Sequence, residues 1–336
     1  MSEIEKRRDL LRQIESDRNS KTVLYVTGDR QGLETKIGQD TIDLFVDHLD
    51  EIGPVKKISL VLYTSGGDTS AAWNLVNLFH MFCDDFEIIA LGKCMSAGTL
   101  ISLGADRIVM TKQATLGPID PSIQHPLGPS IPGASPEARA GVSVEAVKGY
   151  LDAIRKYEAG ELFEGQALID LSNKVHPLVL GQIFRSRQQI RDLAGRLLRR
   201  HIDNQDQIEQ IVDFLCSESG SHDYTINRRE ARRLGLNVEK CSEELYVILR
   251  QLRNSFSTQM LLREPYDINI LAANGGVGNY EFTRALIESA DHGAHHFVTA
   301  GEIEVTEIIQ QNQDGTSHKQ VAFRDQRKFE GWRKIA

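Results

Sequence analysis

KKISLVLYTSGGDTSAAWNLVNLFHMF, residues 56–82, decides the fold. Its apolar run from Ile58 to Tyr63 reads as a buried strand, Ser65-Gly66-Gly67-Asp68 as a sharp turn, and the segment from Ala71 as a helix. The same alternation continues on both sides. Upstream, TVLYVTG (22–28) reads as a strand and TIDLFVDHLDEI (41–52) as a helix. Downstream, EIIALGKCM (87–95) is a strand, SAGTLISLGA (96–105) a helix and RIVMT (107–111) a fourth strand. Strands separated by helices of this length need crossover connections, which implies a largely parallel sheet covered on both faces. The first half is therefore expected to be α/β.

Further from that stretch the pattern changes. Residues 1–20 carry ten charges with Ile4, Leu10, Leu11 and Ile14 near helical spacing, read first as a surface helix and alternatively as an amphipathic arm that docks on the body or on a neighbouring subunit. Residues 117–136 hold six of the nine prolines and can continue neither a helix nor an inner strand, so a loop beside the sheet is expected. Helical spacing returns at 143–158 and 178–201; the six arginines of the second segment read as a solvated face. Beyond about residue 240, YDINILAANGG and HHFVTAGEIEVTEII read as strands, and HKQVAF completes a hairpin around Asp314 and Gly315. The expected organisation is an arm at 1–20, a main domain at 21–240 and a smaller C-terminal α+β unit at 241–336.

Composition narrows the function. The 336 residues carry 39 Lys and Arg against 47 Asp and Glu, a net charge of −8 that argues against a phosphate-coating, nucleic-acid-binding chain. Forty per cent apolar and 26% charged residues are ordinary globular usage, which excludes general disorder. No run approaches the ~18 apolar residues of a membrane span, and the charged N-terminus does not read as a signal sequence, so a cytoplasmic location is expected. Cys83, Cys94, Cys216 and Cys241 lack CxxC spacing and are expected to be free, buried thiols.

Two turns carry the candidate chemistry. Gly66 and Gly67 end one strand, and their amides can face the space above the strand ends. Met95-Ser96-Ala97-Gly98 lies between the next strand and its helix, where Ser96 either caps the helix or serves as a nucleophile. Both turns sit at the carboxyl edge of the sheet, where ligands of open α/β folds collect. Together they offer a nucleophile, Ser96, and two oxyanion donors, the amides of Gly67 and Ala97, which acyl transfer requires. Gly66 and Asp68 are the expected substrate-binding residues of the first turn; capping of the helix at 71 by Asp68, Thr69 or Ser70 is the competing reading.

YTSGGDTSAAWNLVNLF, MSAGTLISLGADRIVM and ATLGPIDPSI, in that order and spacing, resemble the serine dehydrogenase proteinase family, relatives of signal peptide peptidase A within the group sharing the Clp protease and crotonase fold. The resemblance is clear over about residues 55–125 and looser through HDYTINRREARRLGL (222–236) and the closing strands. It implies a Clp protease/crotonase-like fold, a Ser96 nucleophile, an oxyanion hole at Gly67 and Ala97, an extended peptide substrate with broad specificity, a homo-oligomer, and no cofactor.

The general base is less fixed. The histidine that the Clp branch places about 25 residues after its serine falls here near Asp120 and Pro121, which breaks that triad. His125 reads as a surface residue of the proline-rich loop. The signal peptide peptidase branch instead uses a downstream lysine. Lys148 fits, flanked by Val144, Val147 and Leu151 on a helical pattern where desolvation would favour the neutral amine a base must be. Lys156 and Lys174 are the alternatives. A binding or scaffold protein without a competent base, and a crotonase-like acyl-CoA enzyme, remain competing functions.

Other constellations are weaker. His292, His295 and His296 in DHGAHHF are joined by no carboxylate or cysteine at a persuasive spacing and read as the start of a strand, so no metal is expected. GGVGNY (275–280) lacks the spacing and lysine of a phosphate loop, and His222 with Asp223 reads as local capping.

Overall fold

A computed structural model describes residues 2–119, 122–123, 125–131, 133, 135, 137–157, 161–218, 224–273, 278–311 and 317–335. In chain order the elements are α1 (Glu3–Arg18), β1 (Lys21–Thr27), α2 (Ile42–Ile52), β2 (Val55–Thr64), α3 (Thr69–Phe82), β3 (Cys83–Cys94), α4 (Ala97–Leu103) and β4 (Arg107–Met110). Four two-residue strands follow around three long helices: β5 (Thr115–Leu116), β6 (Ser122–Ile123), β7 (Val142–Ser143), α5 (Val144–Tyr157), α6 (Glu161–Lys174), α7 (Pro177–Leu198), α8 (Gln205–Asp213), β8 (Ile226–Asn227) and α9 (Arg228–Arg233). The chain closes with β9 (Val238–Lys240), α10 (Glu243–Gln259), α11 (Ile268–Ala273), β10 (Gly278–Ser289), β11 (Gly293–Gln311) and β12 (Ser317–Ile335).

Packing divides the chain into one unit of residues 1–115 with 237–336 and a second of residues 116–236. This differs from chain-order boundaries at 20 and 240, for a reason visible in the sheet. In the first unit the strand order is β12-β11-β10-β1-β2-β3-β4-β9. β1, β2, β3, β4 and β9 run parallel, as the crossover argument requires. β10 then pairs antiparallel with β1, Tyr25 opposite Ile287, so the C-terminal strands extend the same sheet and form no core of their own. β11 and β12 continue it as an antiparallel hairpin, whose expected Asp314–Gly315 turn lies outside the described residues.

Alternation along the strands fills two faces. Leu24, Val26, Val61, Ile89 and Leu91 face α1 and α10, with Leu11, Ile14, Leu249 and Phe256 buried in the same cluster. Tyr25 faces the other side, where its ring meets Phe45 of α2 at 5.1 Å, Phe45 meets Phe79 of α3 at 5.6 Å, and Phe79 stacks on Phe86 at 4.7 Å. The arm at 1–20 is thus a helix docked on the body, held by Leu10, Leu11 and Ile14 as its spacing suggested. Arg18 at its end donates to both oxygens of the buried Glu87, which also accepts from Lys57 and Ser59. Burial alone would raise the Glu87 carboxyl; Arg18 and the other donors outweigh it and hold the group below the usual carboxylate range.

One segment was misread from sequence. Residues 268–273 of YDINILAANGG form helix α11, because the Asp267 carboxylate accepts from the amides of Asn269 (2.8 Å) and Ile270 (3.3 Å) and starts a turn. All four cysteines are buried, and none is in a disulfide. Burial pushes the Cys83 thiol up to about 12 and the Cys94 thiol up as well, so neither supplies a thiolate near neutral pH.

Considered by itself, the second unit is mainly helical. Val142, Val144, Val147, Val175, Val179 and Ile183 form a small core between α5, α6 and α7. Among the described residues, no helix is long and apolar enough to cross a membrane.

Candidate active site

The site is built from the carboxyl ends of β2 and β3. At the end of β2, Thr64 organises the glycine turn. Its Oγ1 accepts from the Gly66 amide (3.0 Å) and shares a 2.7 Å hydrogen bond with Thr27 Oγ1, while its carbonyl accepts from the Met95 amide at 3.1 Å. Gly66 and Gly67 take φ of 110° and 152°. A Cβ on Gly67 would lie 2.3 Å from the Ile37 carbonyl oxygen, and the chain pairs there like a short parallel strand. Ile37 donates to the Gly66 carbonyl and accepts from the Asp68 amide, each at 2.9 Å. Those two groups point toward Ile37, so the intervening Gly67 amide points away from it, and it makes no hydrogen bond among the described residues.

β3 arrives through a register shift: Leu62 pairs with Ala90 but Thr64 with Cys94. Irregular pairing of this kind re-aims the residues beyond it. Ser96 follows with φ 50° and ψ −111°, and α4 begins at Ala97. Among the described residues only Asn19, Ser96 and Leu261 combine a side chain with positive φ, and such strain persists only where its surroundings over-determine it. The Ser96 side chain makes no capping hydrogen bond, which removes the structural reason for a serine here. The Ala97 amide opens α4 and makes no hydrogen bond among the described residues, and the helix end favours negative charge beside it.

Gly66 brings the two turns into contact. A Cβ built on it would lie 2.8 Å from Ser96 Cβ and 3.4 Å from Ser96 Oγ. Gly98 is similarly required, because a Cβ there would lie 2.4 Å from Thr64 Cγ2. Gly66→Ala is therefore expected to displace Ser96 and slow its reaction with an acylating or phosphonylating reagent about 100-fold, the scale of an ångström-level misplacement. Unchanged reactivity in the folded variant would remove the steric argument.

The other expected site residues fall as follows. The amide and carbonyl of Gly66 are already hydrogen-bonded, so its part is steric. Asp68 caps α3, its carboxylate accepting from the Ala71 amide at 2.8 Å. Lys148 lies on α5, as its spacing suggested, but it is exposed; burial falls on Val144 and Val147 instead. Lys156 and Lys174 are exposed too. The desolvation expected of a lysine base is thus not supplied by α5. His125 Nδ1 accepts from the Leu127 amide within a local turn. Asp120, Pro121, His222 and Asp223 lie outside the described residues, as do Gly275, Gly276 and Val277 of GGVGNY, whose last three residues open β10. Ile37, which pairs with the glycine turn, carries no motif and acts from thirty residues upstream, while Thr64 lies inside the motif but shapes the turn partly through Thr27 and Met95, distant in the chain.

Comparison with known proteins adds to this geometry. The family model that matches is described as a ClpP-like SDH-type serine proteinase, over residues 1–140. The uncharacterized proteins MJ0137 and MJ1495 of Methanocaldococcus jannaschii are similar. The first is 27% identical over 195 residues, covering 58% of this chain and 58% of that protein. The second is 26% identical over 184 residues, covering 54% and 51%. The chain thus spans little more than half the length of the relatives it matches. Similar solved structures include a membrane-bound stomatin-specific protease, 17% identical with a TM-score of 0.40, covering 67% of this chain and 84% of that one. ClpP1 from Listeria monocytogenes is 15% identical with a TM-score of 0.37, covering 69% and 99%. Both glycine turn and Ser96 elbow fall within residues 1–140, so the segment that carries the candidate site is the segment that matches the ClpP-like SDH-type serine proteinase family.

Proposed function

We propose that this chain is a serine peptidase in which Ser96 attacks the carbonyl of an extended peptide. The observation that carries the reading is Ser96 itself, held at φ 50° with an uncapping side chain and pressed against the Gly66–Gly67 turn. The amides of Gly67 and Ala97 donate to the oxyanion that forms, and the amine leaves as an acyl-enzyme forms at Ser96. Lys148 takes the Ser96 proton and returns it to the leaving amine; water then releases the acyl group. Asp68 borders the substrate beyond its capping role. The working protein is a cytoplasmic homo-oligomer that needs no cofactor and accepts many sequences through main-chain hydrogen bonds.

A fluorophosphonate probe tests this directly. Labelling of the full chain, with the adduct mapped to Ser96 by peptide mass spectrometry, is the expected result. Lys148→Ala is expected to slow labelling by about 10²–10⁴, the usual contribution of a general base. Undiminished labelling of that variant rules Lys148 out. No adduct at Ser96 in folded protein favours the second reading, a silent binding or scaffold protein of the same fold, to which the exposure of Lys148 lends weight.

A further inference from the structure

At the opposite edge of the sheet from Ser96, where Ser289 pairs with Val23 at the start of β1, a cluster of imidazoles and one carboxylate has no part in the reaction above. Asp47 of α2, His292 of the β10–β11 turn and His295 of β11 each place one potential ligand atom so that all three lie within 4.8 Å of one another. The carboxylate that DHGAHHF does not offer at a suitable spacing comes from a helix far upstream in the chain.

Hydrogen bonding prepares the set. His48 is fully buried on α2, its Nδ1 2.7 Å from Ser289 Oγ and its Nε2 3.1 Å from His295 Nδ1. Ser289 Oγ also accepts from the His292 amide at 3.2 Å. Two arrangements with one proton per ring satisfy this chain, and metal binding selects the one in which His295 Nδ1–H donates to His48 Nε2 and His48 Nδ1–H donates to Ser289. That leaves His295 Nε2 with its lone pair, oriented from behind as metal-ligating imidazoles are.

We propose that Asp47, His292 and His295 form a binding site for a divalent borderline metal of the zinc type, with His48 and Ser289 as positioning residues. Two imidazoles and a carboxylate are the donor set of many three-ligand zinc sites. Tetrahedral coordination at about 2.0–2.2 Å brings ligand atoms to roughly 3.4 Å separation, so atoms that lie within 4.8 Å of one another need close by no more than about 1.4 Å. Asp47 is exposed and His292 half-buried, which lets both swing inward, while the buried His295 stays fixed. One cation opposes binding: Lys334 Nζ lies 3.0 Å from His292 Nε2, so His292 either ligates through Nδ1 or releases Lys334. The bound metal ties α2 to the β10–β11 turn and stabilises the sheet without touching Ser96.

Titration of the full chain with cobalt(II) chloride, followed by visible d–d absorption and displacement with zinc, tests the site. One equivalent with four-coordinate bands free of thiolate charge transfer is expected. His292→Gln and Asp47→Asn, both away from the core, should each weaken binding at least ~10-fold, and Lys334→Gln should tighten it. Bands that need thiolate, or affinity unchanged in both His292→Gln and Asp47→Asn, overturn the assignment. Fluorophosphonate labelling of Ser96 should be the same in these variants, which separates failure of the metal site from failure of the peptidase reading.

Discussion

Ser96→Ala is expected to lower hydrolysis of an unfolded polypeptide substrate by on the order of 10⁶ in kcat and to abolish fluorophosphonate labelling, the loss seen when a nucleophile acting as part of a unit is removed. What survives should be the contribution of the Gly67 and Ala97 amides alone. A second substitution separates chemistry from architecture. Ser96 has φ 50° and ψ −111°, a conformation as unfavourable for alanine as for serine but accessible to glycine. Ser96→Gly should therefore be equally inactive yet more stable than Ser96→Ala by about 1–2 kcal/mol, read from denaturant midpoints. Residual hydrolysis by Ser96→Ala comparable to the parent chain would show that the elbow serves something other than nucleophilic attack. Equal stability of the two variants would mean that the backbone relaxes without its side chain, and that the strain is not stored there.

Much of this site was legible in the sequence because its signals are local. Leu60–Tyr63 is an apolar run followed three residues later by two glycines, and the strands at 21–27, 83–94 and 107–110 likewise centre on apolar runs. Less legible were features made by contacts far apart in the chain. Ile37 meets Gly67 through backbone pairing that no residue type announces, and Thr64 matters through the volume of its methyl group against Gly98. Strand β10 is hard to read from sequence because its pairing with β11 shifts between Thr283 and Ala285, which breaks the alternation that marks a strand. Residues 268–273 failed in the opposite sense. Their Ile and Leu content suits a strand, but the Asp267 cap decides for a helix.

Lys148 shows the limit of helical spacing as evidence. Its pattern correctly places it on a helix beside Val147, yet adjacent residues differ by about 100° around the axis. A lysine next to a buried valine therefore faces outward as readily as inward, and here it is exposed. DHGAHHF is the converse case: spacing within the segment offers no ligand set, and the group that completes the proposed one, Asp47, lies on α2 with His48 behind it. Chemistry contributed by a second element is invisible to any argument confined to one stretch of chain.

The second large effect concerns stability and begins at Arg7. This arginine is fully buried, donates to both oxygens of Glu288 at 2.8 and 2.7 Å, and reaches Ser255 at 3.1 Å; His296 approaches the same carboxylate at 2.9 Å. Arg7→Ala leaves that carboxylate buried without its bidentate partner and should cost about 3–5 kcal/mol. Intrinsic fluorescence in urea measures it cleanly, because both tryptophans, Trp73 and Trp332, belong to the first unit. The pH dependence gives an independent check. Burial alone would raise the Glu288 carboxyl, but the hydrogen bonds from Arg7 and His296 outweigh it and hold the group below its ordinary 4.5. A carboxyl lowered on folding stabilises above its unfolded value, and that contribution is lost as pH falls through the folded value. The parent chain should therefore weaken below about pH 4.5. In Arg7→Ala burial dominates and Glu288 is raised, so protonation on acidification relieves the unpaired charge, and the deficit against the parent should narrow steadily from pH 7 toward pH 4. A double variant, Arg7→Met with Glu288→Leu, should recover most of the loss by replacing the pair with apolar contacts. A deficit of under ~1 kcal/mol in Arg7→Ala at pH 7 would mean that α1 is held by Leu10, Leu11 and Ile14 alone and that the ion pair is incidental to its docking.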